Sequence, residues 1–528
     1  MTMRDVLEVL RRCFDWRCGA GSAVLARWIF LRALALIYFS AFYSLFFQIK
    51  GLNGPQGILP AKNYLDAITR YYGSTSYWHA PSLFWFSSSS TMLMAVTWCG
   101  IAASLLAFAN LWPRFTLLAC FVSFLSFVTA AGDFSSYQSD GMLLEAGFIS
   151  LFFAPPGLWP GFAVQHPPSG ASLWLLRWEW FRIYFESGMV KELSGDPQWR
   201  SFTAMDEYYQ NGPLPTWIGY YVQHLPHWFH AASTVGTLVM ELVIVSLLFF
   251  PRRLRLICFL IVTPWEIGVI LTGNYAFLNY IVLALGFLLV DEVYWRRAFP
   301  ARFLPSAEPV ASEETEPSHP LRAGLHIGSV ALSGFFLMWV AYVTTAEMMN
   351  LVLPRALPMA PVTALEPFRI ANQYGLFAVM TRGRYEIEFQ GSNDGQNWQP
   401  YLFRNKPQRL NEAPGIYAPY QPRFDWNLWF ASLGDWQQND IVPITETRLL
   451  ANDRDVLALF RSSPFGNAAP QYVRAVLYQY WFTTLEEKRR TGNWWRRNLL
   501  GVYAPALART VDGHYRMIAP ADDLPPHD

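Results

Sequence analysis

The stretch from Trp174 to Lys191, WLLRWEWFRIYFESGMVK, is as long and as apolar as a membrane-spanning helix, yet it carries Arg177, Glu179, Arg182, Glu186 and Lys191. Ionisable groups at bilayer depth are costly, so they face a protein interior or a water-filled cavity. Glu179, Arg182 and Glu186 are three and four residues apart, which stacks them on one helical face as a charge ladder. Two chemistries fit such a ladder: an ion-pair network between packed helices, or a buried polar site that binds or transforms a substrate. An earlier segment, GDFSSYQSDGMLLEAGF, places Gln138 and Asp140 at the entrance of another apolar run and Glu145 about two turns inside it. Gln138, Gly141 and Glu145 share a face, so a carboxylate there can meet Arg177 or Arg182 across a helix pair. Glu241 and Glu266 are lone acids in later apolar runs; they can complete the same cluster or stand solvated in a cavity.

Other combinations carry less. His224, His227 and His230 are spaced like ligands, but Pro226 interrupts their helix and the surrounding aromatics suit an interfacial belt. Of five cysteines none follows Cys258, which excludes thiol chemistry from the C-terminal third, and Cys13 and Cys18 lack the C-x-x-C spacing. The nucleophile-elbow, zincin, P-loop and dinucleotide motifs are absent from usable contexts. The expectation is no metal and no cofactor.

The elements that position these residues follow from composition. A chain of 528 residues that is 53% hydrophobic and 17% aromatic is an integral membrane protein with aqueous parts. Its net charge of +1, without a basic block, gives no support to a nucleic-acid partner. With about 20 apolar residues per span as the template, spans are predicted near 24–48, 92–112, 115–131, 141–154, 172–191, 231–250, 255–272, 275–290 and 325–346, a count of about eight to nine. This divides the chain into a cytoplasmic segment 1–23, a transmembrane domain 24–346 with outer loops at 49–91 and 192–230 and an inner linker at 292–324, and a β-rich extracytoplasmic domain 347–528. Lys and Arg favour the inner side, with Arg114, Arg252, Arg253, Arg255, Arg296 and Arg297 among those assigned there, against Lys50, Lys62, Arg70 and Arg200 outside. The N-terminus is therefore expected inside and the C-terminal domain outside.

Beyond residue 350 the pattern changes. RYEIEFQGSNDGQNWQPYLF alternates on both sides of a turn sequence and reads as a hairpin. GLFAVM, FDWNLWFA and YVRAVLYQYWFT read as β-like, and DRDVLALFRSS as helical. Trp398, Tyr401, Tyr420, Trp426 and Trp429, interleaved with Arg423, have the composition of a protein-binding surface and are candidate client-binding residues; a β-rich core with a membrane-facing rim would use the same types.

Several long motifs in order resemble the lipase maturation factor family over almost the whole chain: QIKGLNGPQGILPA, YQSDGMLLEAGFISLFFAP, WLLRWEWFRIYFESGMVKELSGDPQWRSFTAMDEYY, QNGPLPTWIGYYVQHLP and, in the outer domain, YEIEFQGSNDGQNWQPY and SPFGNAAPQYVRAVLYQYWFT. The resemblance implies a polytopic membrane protein, not an enzyme, that assists folding and assembly of secreted clients such as lipases. It implies an endoplasmic reticulum location in a eukaryote and the cytoplasmic membrane in a bacterium, with membrane lipid as a further partner. The membrane half is also distantly similar to the superfamily of the vitamin K-dependent γ-carboxylase. That similarity implies an alternative, an intramembrane or interfacial enzyme acting on a lipid or quinone-like substrate, with Lys191 as base and Asp196 and Trp199 beside it. Glu192 stands where that motif has a second lysine.

Overall fold

In the computed structural model, described for residues 13–14, 20–135, 137–300, 304, 320–510 and 512–525, each of the nine apolar segments is helical. They are α1 (Val24–Asn53), α2 (Ser90–Phe108), α3 (Pro113–Ala130), α4 (Gln138–Phe153), α5 (Gly170–Leu193), α6 (His227–Leu242), α7 (Arg252–Thr272), α8 (Leu278–Gly286) and α9 (Pro320–Val352). Their starts are chemically marked. The Ser89 and Ser169 hydroxyls accept from the Met92 and Ser172 amides, and Pro113 opens α3 where its missing N–H costs nothing. Among the described residues six helices are long and apolar enough to cross a membrane, and α8 with the following Glu292–Ala298, bent by 105°, makes up to seven. The chain is thus an integral membrane protein with six to seven candidate spans. α4 has only 16 residues and α5 carries the charges described above. The basic residues before position 18, Cys18 and most of the linker 292–324 lie outside the described residues.

α1 runs through the bundle, with Phe30, Leu34, Tyr38, Phe42, Leu45 and Ile49 buried along it. Neighbouring helices come close because they present glycine. A Cβ on Gly100 of α2 would lie 2.3 Å from the Phe42 ring, and one on Gly147 of α4 would overlap the Tyr38 hydroxyl, which donates to Leu143 O at 3.0 Å.

The C-terminal domain sits on one end of this bundle, its capped end. It is an antiparallel sheet of five strands, β1 (Arg384–Ser392), β2 (Gln399–Pro400), β3 (Tyr472–Phe482), β4 (Trp495–Arg509) and β5 (Tyr515–Ala519), in the order β2-β1-β3-β4-β5. Helices α10 (Arg423–Ala431) and α11 (Ile441–Leu450) pack on it through Phe424, Leu428, Val442 and Leu449 against Ile387, Phe389, Ala475 and Leu477. The β1–β2 hairpin forms where its turn residues stand. Gly395 has φ +73°, and the Asp394 carboxylate accepts from the Gln396 and Asn397 amides at 2.8 and 2.7 Å, which holds its carboxyl below the usual range. YVRAVLYQYWF is the central strand β3.

Two segments read as β-like are not strands. FDWNLWFA is helix α10: Phe424 and Leu428 face the sheet, Trp426 and Trp429 face the bundle, and a helix buried on two sides mimics strand alternation. GLFAVM is an irregular strap. It belongs to residues 353–383, which lie between α9 and β1, and the first strand of the sheet starts at Arg384.

Candidate functional site

The charge ladder holds a piece of backbone. Residues 372–380 pass between α4 and α5, and their main-chain groups bond to side chains. The Asn372 amide donates to Glu145 Oε2 (2.9 Å), that of Tyr374 to Glu186 Oε2 (2.6 Å), that of Gly375 to Gln138 Oε1 (3.0 Å) and that of Met380 to Asp196 Oδ2 (2.7 Å). In the other direction Arg182 donates to Asn372 O (2.7 Å), Lys191 to Leu376 O (3.0 Å) and Trp199 Nε1 to Phe377 O (3.1 Å). Irregular backbone enclosed between helices must find partners inside the protein. Here the acidic excess of the ladder meets the strap's N–H groups, and Arg182 bridges Glu145 and, at 3.6 Å, Glu186. The Tyr374 hydroxyl donates to Glu145 Oε2 at 2.8 Å. Glu179 is fully buried on the same face as Arg182.

Four predicted members lie elsewhere. Arg177 donates to Leu288 O at 2.8 Å, towards the other end of the bundle. Asp140 forms a two-pronged ion pair with Arg423 of α10, at 2.7 and 2.8 Å, and the same guanidinium donates to Phe134 O at 2.6 Å. Glu241 and Glu266 build a second cluster: Lys191 Nζ lies 2.9 Å from both oxygens of Glu241, while Glu266 accepts from the Tyr184 hydroxyl and from Asn279 Nδ2, each at 2.6 Å.

That second cluster opens into a cavity of about 730 Å³ at the capped end. Its wall comes from α5 to α8, the 194–226 loop, the strap and the underside of α10. It is mostly aromatic and aliphatic, with Lys191, Glu241 and Glu266 its ionisable side chains other than tyrosines.

The comparisons with known proteins address this architecture directly. A family model described as the lipase maturation factor transmembrane domain matches residues 25–297, and one described as the lipase maturation factor C-terminal domain matches 370–505. The chain belongs to the lipase maturation factor family. Lipase maturation factor 1 of Bos taurus is 32% identical over 93% of this chain and 91% of its own length. Lipase maturation factor 2 of Gallus gallus is 31% identical over 94% and 84%, and lipase maturation factor 1 of Homo sapiens 30% over 92% and 88%. No solved structure is a significant match.

In this family member the strap stands at the start of the C-terminal homology region and its receptacle stands in the transmembrane region, so the strap ties the two family domains together. The aromatic client candidates are mostly inside. Tyr401 and Arg423 are buried, Trp426 and Trp429 line the cavity, and Tyr420 accepts from Gln48 at the joint with α1. Trp398 is half-buried beneath the Arg474 guanidinium, 4.2 Å from its ring centroid. The three histidines bond to backbone carbonyls or to Asp206, and no group of three potential metal ligands exists among the described residues. Sequence reasoning missed Asn372 and Tyr374, which stand just before the GLFAVM stretch that reads as β-like, and Tyr184 and Asn279. Each of the last two is a hydrogen-bonding side chain inside an apolar run, the one local signal available.

Proposed function

We propose that this protein is a lipase maturation factor that assists folding or assembly of secreted clients such as lipases, with its C-terminal domain as the client-facing part. The observation that carries this reading is similarity that runs through both family domains and covers most of each relative. The topology we propose has eight or nine spans, the N-terminus inside and the sheet domain outside. α4 and α5 then cross as a pair whose charges are turned inward on the strap.

The client surface proposed is the β4–β5 end of the sheet. Tyr515, Met517 and Ile518 are exposed there, and β5 is an edge strand exposed throughout. An apolar edge strand pairs readily with another extended chain. Against the enzymatic alternative, Lys191 faces both Glu241 oxygens, Leu376 O and, at 3.4 Å, Ser187 O. An ammonium held in this way is a strut rather than a base.

The test is co-expression of a secreted lipase with the wild-type chain, with an empty vector and with Tyr515→Ser/Met517→Ser/Ile518→Ser, reading lipase activity per unit of lipase antigen. Wild type should raise that ratio and the triple variant should lose the gain at equal membrane abundance. A ratio unchanged by the wild-type chain refutes the reading.

A further inference from the structure

We infer that the cavity beneath α10 binds one uncharged glycerolipid, admitted sideways from the bilayer between α6 and α7. Its volume of about 730 Å³ lies in the range of small-molecule sites. Its lining extends along α6, where Phe229, Ser233, Thr237 and Glu241 recur every four residues on the cavity side. Twelve residues of helix span about 18 Å, a length that suits an acyl chain rather than a compact metabolite. Ile183, Val269, Val282, Trp426 and Phe430 complete an apolar wall.

The mouth is lateral. α6 packs on α5, while α7 packs on α8 and on the 3₁₀ turn Ile244–Phe249 that follows α6. The two helices therefore join at one end and separate towards the capped end. Across the gap the Trp265 ring reaches to 3.4 Å from where a Cβ on Gly236 would stand, and a Cβ on Gly268, another lining position, would meet nothing within 4 Å. Both helices are candidate spans with most of their surface turned outward, so the gap faces lipid.

The polar groups select the head. Lys191 is the sole Lys, Arg or His among the described lining residues, and Glu241 neutralises it through both oxygens. Binding a phosphate head group would require breaking that pair beside Glu266, and a charge taken from water without a partner is expensive. What remains is hydroxyl and amide chemistry: Ser233, Thr237, the strap backbone at Ala378 and Val379, and, as acceptors, the oxygens of Tyr184 and Asn279, which donate to Glu266. These groups suit the free hydroxyl and ester carbonyls of a diacylglycerol. Because the wall includes α10, the occupant touches both family domains at once.

The test uses the full chain in phosphatidylcholine nanodiscs with a diacylglycerol bearing a diazirine in one acyl chain, compared with phosphatidic acid carrying the same chains. Diacylglycerol should label residues 229–241 and 265–272 about ten-fold more than phosphatidic acid, equivalent to about 1.4 kcal/mol of preference. Gly268→Phe and Ser233→Trp, which fill the cavity, should each cut that labelling by a similar factor. Val235→Trp, on the exposed face of the same helix, should label as wild type does. Equal labelling by the two lipids in the wild-type protein, or label spread over the outward faces of all the spans, overturns the inference without recourse to any variant. Undiminished labelling of both cavity-filling variants overturns it as well.

Discussion

Replacing Arg423 with methionine keeps the side chain's bulk and removes the guanidinium that joins α10 to the first turn of α4. Arg423 is 2% exposed and Asp140 fully buried, so water cannot take over the two hydrogen bonds lost by the carboxylate, and Phe134 O loses its donor as well. Breaking a buried pair from one side costs about 3–5 kcal/mol, because the remaining charge stays uncompensated. Arg423→Met should therefore raise the opening equilibrium of the joint by roughly a hundred-fold or more. Hydrogen exchange read at the amides of α10 and of residues 372–380 would report it, since exchange through local opening tracks the free energy of that opening. Adding Asp140→Leu removes the stranded charge, and the double variant should recover most of the loss, with a coupling energy of at least about 1.5 kcal/mol. If Arg423→Met speeds exchange by less than about five-fold, under about 1 kcal/mol, or if the double variant opens more readily than the single one, the joint is not held by this ion pair.

Glu446 is buried in the sheet domain with its carboxyl pushed well above the usual range by burial, the Ala475 backbone pulling the other way, and burial likewise raises Asp425 to about 7. The folded state then binds protons that the unfolded chain releases, so stability is greatest at low pH and falls as pH rises from the ordinary carboxylate range through about 7, by up to about 1.4 kcal/mol per unit per group. Glu446→Gln should flatten that slope in melting curves taken across the interval, and an unchanged slope counts against it. A Cβ on Gly51 would stand 2.4 Å from the carbonyl oxygen of Asp455, a backbone atom with little room to move, so Gly51→Val should cost about 1–3 kcal/mol and hasten proteolytic release of the sheet domain. Lys191→Met should lower the melting temperature, and Lys191→Met/Glu241→Leu should restore most of it by removing the unpaired acid. A Lys191→Met protein as stable as wild type that had lost all activity would instead revive the role of Lys191 as a base.

The spans were legible because each is a run of apolar residues whose meaning is local: a bilayer of fixed thickness needs a helix of a certain length, and Val24–Asn53 or Arg252–Thr272 announces it without reference to the rest of the chain. The ladder of Glu179, Arg182 and Glu186 was also visible, since helical spacing sets the face, and buried charge called for a carboxylate such as Glu145 to meet either Arg177 or Arg182; the choice of Arg182 belongs to the packing. The hairpin around Asp394 and Gly395 was legible for the same local reason.

What the charges hold was not visible. Glu145, Glu186, Gln138 and Asp196 bind the main chain of residues 372–380, and main-chain donors carry no mark in a sequence. Nor could spacing separate the acids into sets, one pairing Arg182 with the strap, another pairing Lys191 with Glu241, and a third joining Asp140 to an arginine 283 positions away. Sequence alone determined that this is a membrane protein of many helices with a folded C-terminal domain, because hydropathy and periodicity are properties of neighbours along the chain. Tertiary structure alone decided that its buried charges clasp a strap and border a cavity, because those partners are distant in sequence and meet only once the helices pack.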